Sequence, residues 1–265
     1  MKEIDLKISG SSSVMGGEYN TVAISGSGKI NGNLKCDSFA CSGAGKLQGD
    51  LEAESVRSSG STKIEGSVQC RTASVSGSFA CGNLEVSEDL QASGGIHVSG
   101  SLRGGQVRIS GCLKTEESIH CRDMKVSGSC EVLSGDLNAE FFHSSGVLRV
   151  PGLLNAETVE IYPTSASRVG SIGGTNIRIS TGQADNREGK GHSWAVFISG
   201  FHVSTNPGPM QVDTIEGDTV ELEFTRAQVV RGTNVRIGKG CNIDRVEYSE
   251  HLDAEDGTVG EAVKV

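Results

Sequence analysis

The chain has 265 residues, with 37 Gly but only 4 Pro, aromatic residues at 4 % and a formal net charge of -9. Abundant glycine without proline or a three-residue period excludes a collagen helix, and so few rings exclude a core built on aromatic packing. The negative charge excludes a general nucleic-acid binder, which needs a positive surface to displace counterions from phosphates.

The first ten residues, MKEIDLKISG, lack the apolar core of a signal peptide. No stretch approaches the ~18 apolar residues of a membrane helix, so a cytoplasmic chain is expected.

Next along the chain comes a repeat. Gly26, Gly43, Gly60, Gly77, Gly94, Gly111 and Gly128 follow one another at a 17-residue spacing. Other columns keep the same step. One runs Val22, Phe39, Val56, Ala73, Leu90, Val107, Met124, Phe141; another runs Gly28, Gly45, Thr62, Phe79, Ile96, Leu113, Cys130, Val147. Within a unit the inward positions are 22/24, 28/30 and 34/36. Each pair is an i, i+2 alternation that puts both side chains on one side of a short strand.

Three short strands per ~17-residue turn, separated by corners, describe a three-sided coil. Gly26, Gly32, Gly43, Gly49, Gly60 and Gly66 sit at those corners, where a residue without Cβ can take φ > 0. Stacked turns satisfy each other's backbone groups at the ~4.8 Å strand spacing. The expected fold is therefore all-β, a right-handed parallel β-helix, since parallel crossovers are overwhelmingly right-handed. One-residue slips at Leu84/Val86 and Leu137/Ala139 predict bulges.

Residues 1–158 form the regular part. A second, less regular β-helical segment is expected over 159–250, with strands at Val159/Ile161, Ile177/Ile179, Val196/Ile198, Phe201/Val203, Met210/Val212, Val235/Ile237, Cys241/Ile243 and Val246/Tyr248. A polar loop near 181–191 and an acidic tail over 251–265 complete the expectation.

The turns of the type ISGSGKINGNL at 24–34, their relatives such as VSGSL at 98–102, and VVRGTNVRIGKGCNIDRVEY at 229–248 resemble the bactofilins, polymer-forming cytoskeletal proteins of bacteria. The resemblance covers most of the chain. It implies a right-handed β-helix that polymerises end to end into nonpolar filaments without nucleotide, often at the inner membrane, as a scaffold in cell shape, morphogenesis or motility. Typical members are a single shorter β-helix flanked by disordered tails; this chain has little N-terminal tail and a second β-rich half.

Chemistry-bearing residues are sparse. Cys36, Cys41, Cys70, Cys81, Cys112, Cys121, Cys130 and Cys241 contain no CxxC pair, and most fall in inward columns, where they act as small core hydrophobes. No GxSxG, HExxH or GxxxxGK[ST] motif occurs, so no catalytic, cofactor or metal site is assigned. The histidines, with His97 and His120 pointing outward, and carboxylates such as Asp50, Glu52 and Glu54 read as solvated surface.

One outward column stands apart: Lys29, Lys46, Lys63, Ala80, His97, Lys114. On a β-helix it stacks into a basic stripe on an acidic protein, a candidate for an anionic surface, either phospholipid or a partner's acidic strip. The lysines would also block sheet-on-sheet aggregation. Trp194, Phe197 and Phe201, in the segment WAVFISGFHV, are candidates for a partner patch.

The sequence thus predicts a scaffold whose partner is itself, peripheral to the inner membrane or to membrane-associated proteins, with no nucleic acid. The alternatives are a non-polymerising β-helical adaptor and, behind it, a β-helical acyltransferase or polysaccharide enzyme.

Overall fold

The computed structural model describes residues 4–164, 167–180, 209–254 and 256–265. Every regular element among them is a β-strand, and the strands coil into a parallel β-solenoid of about 13 turns at ~17 residues per turn.

The turn beginning at Ala44 shows how the sequence builds this shape. Ala44–Gln48 forms face I, with Gly45 and Leu47 inward and Lys46 outward. Leu51–Ser58 supplies both remaining faces in one bent strand. Leu51 and Ala53 point inward on face II, Val56 and Ser58 on face III, with the bend at Glu54 and Ser55. Each turn registers on the next, as in Leu34↔Leu51 and Leu51↔Val68. Inward columns therefore stack like on like, and each buried Val, Leu or Ile contributes roughly 1.5–3 kcal/mol.

The corners use two devices. Between faces III and I, the amides of Ser59 and Gly60 both donate to the carbonyl of Cys41, at 2.9 and 3.2 Å, and the pattern repeats at Ser76/Gly77 and Ser93/Gly94. Between faces I and II, polar side chains bridge successive turns. Asn33 Oδ1 accepts the amide of Asp50 (3.0 Å), Asp50 Oδ1 that of Ser67 (2.8 Å), Asn83 Oδ1 that of Ser101 (3.0 Å) and Asp136 Oδ1 that of Leu153 (2.8 Å). Asp50, expected to be solvated surface, is a corner clamp.

The reason for glycine at the III/I corner also differs from expectation. Gly26, Gly43 and Gly60 do not have positive φ; among the glycines named for corners, Gly32 has the clearly left-handed backbone, at 95°. A Cβ on Gly43, Gly60, Gly77, Gly94 or Gly111 would stand 2.0 Å from the carbonyl oxygen of the glycine one turn earlier. Close approach of the two backbones, not torsional freedom, demands glycine there.

The expected slip at Leu84 is present, with an irregularity between Cys70 and Thr72. The expected slip at Leu137 is present too, since Leu137 registers on Ile119 18 residues back, and it moves two column assignments. Met124 lies beside Phe142, not Phe141, and Cys130 beside Leu148, not Val147. Phe142 and Leu148 are buried, whereas Phe141 is 49 % exposed. The loop at Leu133, Ser134 and Gly135 lengthens that turn by one residue, which puts Phe142 and Leu148 inward in place of Phe141 and Val147.

The strand Val147–Ile161 runs straight through the expected boundary at 158/159. The solenoid continues through Arg168–Ile179, Met210–Leu222, Thr225–Ile237 and Asn242–Asp253. Turns shorten here: Val212 registers on Ala227, 15 residues on. Residues 251–265 are not an acidic tail. His251 to Asp253 complete a face III strand, and Thr258–Lys264 pairs in parallel with Asn242–Asp253 as part of the last turn. The polar loop at 181–191 and the strands expected at 196/198 and 201/203 lie outside the described residues.

Candidate functional site

Face I carries two outward columns side by side. The first is small: Ser27, Ala44, Ser61, Ser78, Gly95, Cys112. The second holds the predicted stripe, and every expected neighbour pair is in register: Lys29↔Lys46, Lys46↔Lys63, Lys63↔Ala80, Ala80↔His97 and His97↔Lys114. Long cationic side chains thus rise from a floor of small ones. A shallow depression of about 470 Å³ is lined by Lys29 and Lys46, by Ser27, Ala44 and Ser61 of that floor and by Ser11 to Ser13.

The file does not stop at Lys114. It passes through Glu131 to Arg149, then Arg168, Gln211 and Arg226. These arginines escape a 17-residue search because Arg149 follows Glu131 by 18 residues and Arg168 follows Arg149 by 19. An outward Arg or Lys just before an inward Val, Ile or Ala is the signal that finds them.

Carboxylates temper the middle of the file. Lys46 Nζ lies 2.8 Å from Glu65, His97 Nε2 3.4 Å from Glu116, Lys114 Nζ 3.6 Å from Glu131, and Arg149 3.8 Å from the same Glu131. The hydrogen bond from Lys46, with smaller help from Gln48 and Lys63, holds the Glu65 carboxyl below its ordinary range. Among the described residues Lys29, Lys63, Arg168 and Arg226 have no ion-pair partner.

Some other ladders alternate in sign, although Arg108 and Lys125 are also like charges in register. On face III, Glu160, Arg178, Glu221, Arg236 and Asp253 follow one another, and Arg178–Glu221 and Arg236–Asp253 are ion pairs. At the II/III bend, Arg71 bridges Glu54 and Glu88 at 3.1 and 2.7 Å. Like charges on adjacent strands are mutually destabilising, so the three stacked lysines of face I cost stability that alternation would have avoided.

The thiols separate sharply. Burial pushes Cys36 and Cys241 up to about 11, and Cys70, Cys81, Cys121 and Cys130 up to about 12. Those groups stay protonated and unreactive at neutral pH, while Cys112 is exposed on the face I floor. A thiol reagent at pH 7.5 is therefore expected to modify Cys112 rapidly in the native protein and all 8 cysteines only after denaturation. Peptide mapping of the labelled chain reads the difference. Among the described residues, no three His, Cys, Asp or Glu side chains converge to hold a metal ion. The predicted patch of Trp194, Phe197 and Phe201 lies outside the described residues.

Fold and face together define a parallel β-solenoid with a file of cations along face I. Part of the chain is similar to two proteins of Bacillus subtilis (strain 168): the uncharacterized protein YhbF, 35 % identical over 105 residues, and the uncharacterized protein YhbE, 35 % identical over 105 residues. The matches cover 39 % and 38 % of this chain and only 37 % and 38 % of those relatives' lengths. No family model and no solved structure matches the chain.

Proposed function

We propose that this protein is a self-assembling scaffold of the bactofilin kind, whose subunits add end to end without nucleotide. What supports the reading most is the backbone of the terminal turns. Leu6–Ile8 pairs only toward Ser11–Ile24, and Thr258–Lys264 only toward Asn242–Asp253, so the outer edge of each carries no strand partner among the described residues. An open parallel edge is a template for another chain, and the same hydrogen bonds that stack the turns would join subunits.

The apolar columns also reach these edges. Leu6 and Val14 at one end, and Leu252 and Val259 at the other, are only partly buried against the core. Covering them adds a hydrophobic term to the edge hydrogen bonds. No step in such growth needs an energy source other than burial.

The test is sedimentation velocity of the purified chain over a concentration series, with and without nucleotide. The reading predicts assemblies whose size grows with concentration and is indifferent to nucleotide. A single small species throughout would instead leave a β-helical adaptor.

A further inference from the structure

We propose that face I is a binding surface for an anionic phospholipid bilayer, and that its cationic file, from Lys29 to Arg226, is the contact. The inference does not rest on assembly, since a single solenoid presents the whole file.

The first support is geometric. The file runs rung by rung along one face of the solenoid, ten strand spacings from Lys29 to Arg226, or ~48 Å. It stands on a floor of Ser, Ala and Gly, so a planar partner can meet every cation at once. A nucleic-acid duplex cannot, because its phosphates wind around an axis with a repeat of roughly 34 Å and leave a straight line after one contact. Single strands bind through aromatic stacking platforms, and the described outward file of face I carries no Phe, Tyr or Trp.

The second support is electrostatic. The chain as a whole is acidic, at -9, yet the trios Lys29, Lys46, Lys63 and Arg149, Arg168, Arg226 both lie on this face. The acids nearest the file are Glu131 within it and, along the corner between faces I and II, Asp50, Glu65, Glu116, Asp136 and, in the groove beside Arg168, Asp213. They offset the centre of the file and leave its two ends positive. Lys29, Lys63, Arg168 and Arg226, without an ion-pair partner among the described residues, are the cations left for charges from outside.

Each lysine or arginine near a membrane bearing anionic lipid contributes roughly fivefold in partitioning, so a trio contributes on the order of 100-fold. The experiment is co-sedimentation of the full chain with phosphatidylcholine vesicles, with and without phosphatidylglycerol, at low and physiological salt. Three triple variants are compared: K29E/K46E/K63E, R149E/R168E/R226E, and R57E/R103E/K125E on the other two faces, which changes net charge equally. Far-UV circular dichroism confirms that each keeps its strand content.

Binding only to vesicles with phosphatidylglycerol, lost by ~100-fold or more in both face I variants and changed less than about fivefold in the third, supports the proposal. Equal losses in all three variants, equal binding to neutral vesicles, or no binding by the unmodified chain would each overturn it.

Discussion

Replacing Gly94 by Val is expected to destabilise the solenoid by about 3 kcal/mol or more, at the upper end of what overpacking costs. A Cβ there would fall 2.0 Å from the Gly77 carbonyl oxygen and 2.5 Å from that of Ser76. The backbone has no room to yield, because the Gly94 amide donates to Val75 one turn back and its carbonyl accepts from Cys112 one turn on, at 3.2 and 3.0 Å. Even Ala carries the clash, so Gly94→Ala should approach the same loss. The adjacent Gly95→Ala is the matched control: nothing lies within 4 Å of its added Cβ. That change is expected to be neutral, or to stabilise by about 0.4–1 kcal/mol through the unfolded chain. Urea denaturation of the three variants checks the contrast, which torsional freedom as the reason for glycine would not produce.

A second large effect distinguishes two neighbouring rings. Phe142→Ala should cost about 3–5 kcal/mol, because Phe142 is 1 % exposed in the core and its removal leaves a cavity. Phe141→Ala should cost less than about 0.5 kcal/mol, since its ring stands half in solvent between Asp123 and Thr158. Equal losses at the two positions would mean that the turn containing Gly135 has the unlengthened register.

This pair also marks where sequence reading reached its limit. Over residues 22–132 the period is regular enough that alternation alone places the core, and Val22, Ile30, Leu47, Val56 and Leu113 are all buried where the columns put them. The same regularity makes Lys29, Lys46, Lys63, His97 and Lys114 legible as one outward file. After Val132 the turn lengths vary, and a period of 17 no longer tracks the coil. Phe141 then looks inward and Arg149, Arg168 and Arg226 fall out of line, although the backbone holds them in register.

Two further features were hidden for chemical reasons. The polar column Asn33, Asp50, Asn83, Asp136 repeats with the period, but short polar residues at corners look like solvated turns until their acceptor oxygens are seen to cap amides one turn on. The glycine column was visible, but its cause was not: spacing shows that glycine recurs, and only the stacked carbonyls show why. Likewise the last strand, Thr258–Lys264, follows the acidic stretch at 253–256 and itself holds Gly260 and Glu261. Composition alone assigns it to a tail, whereas pairing with the preceding turn holds it as strand.

Assembly is the central claim, and electron microscopy of the purified full chain in negative stain, without nucleotide or metal, tests it most directly. The account predicts thin unbranched filaments whose axial repeat is set by a subunit of about 13 turns, ~60 Å, with a ~4.8 Å strand reflection along the filament axis in diffraction from aligned samples. Discrete rods of about one subunit length, at every protein and salt concentration, would contradict it.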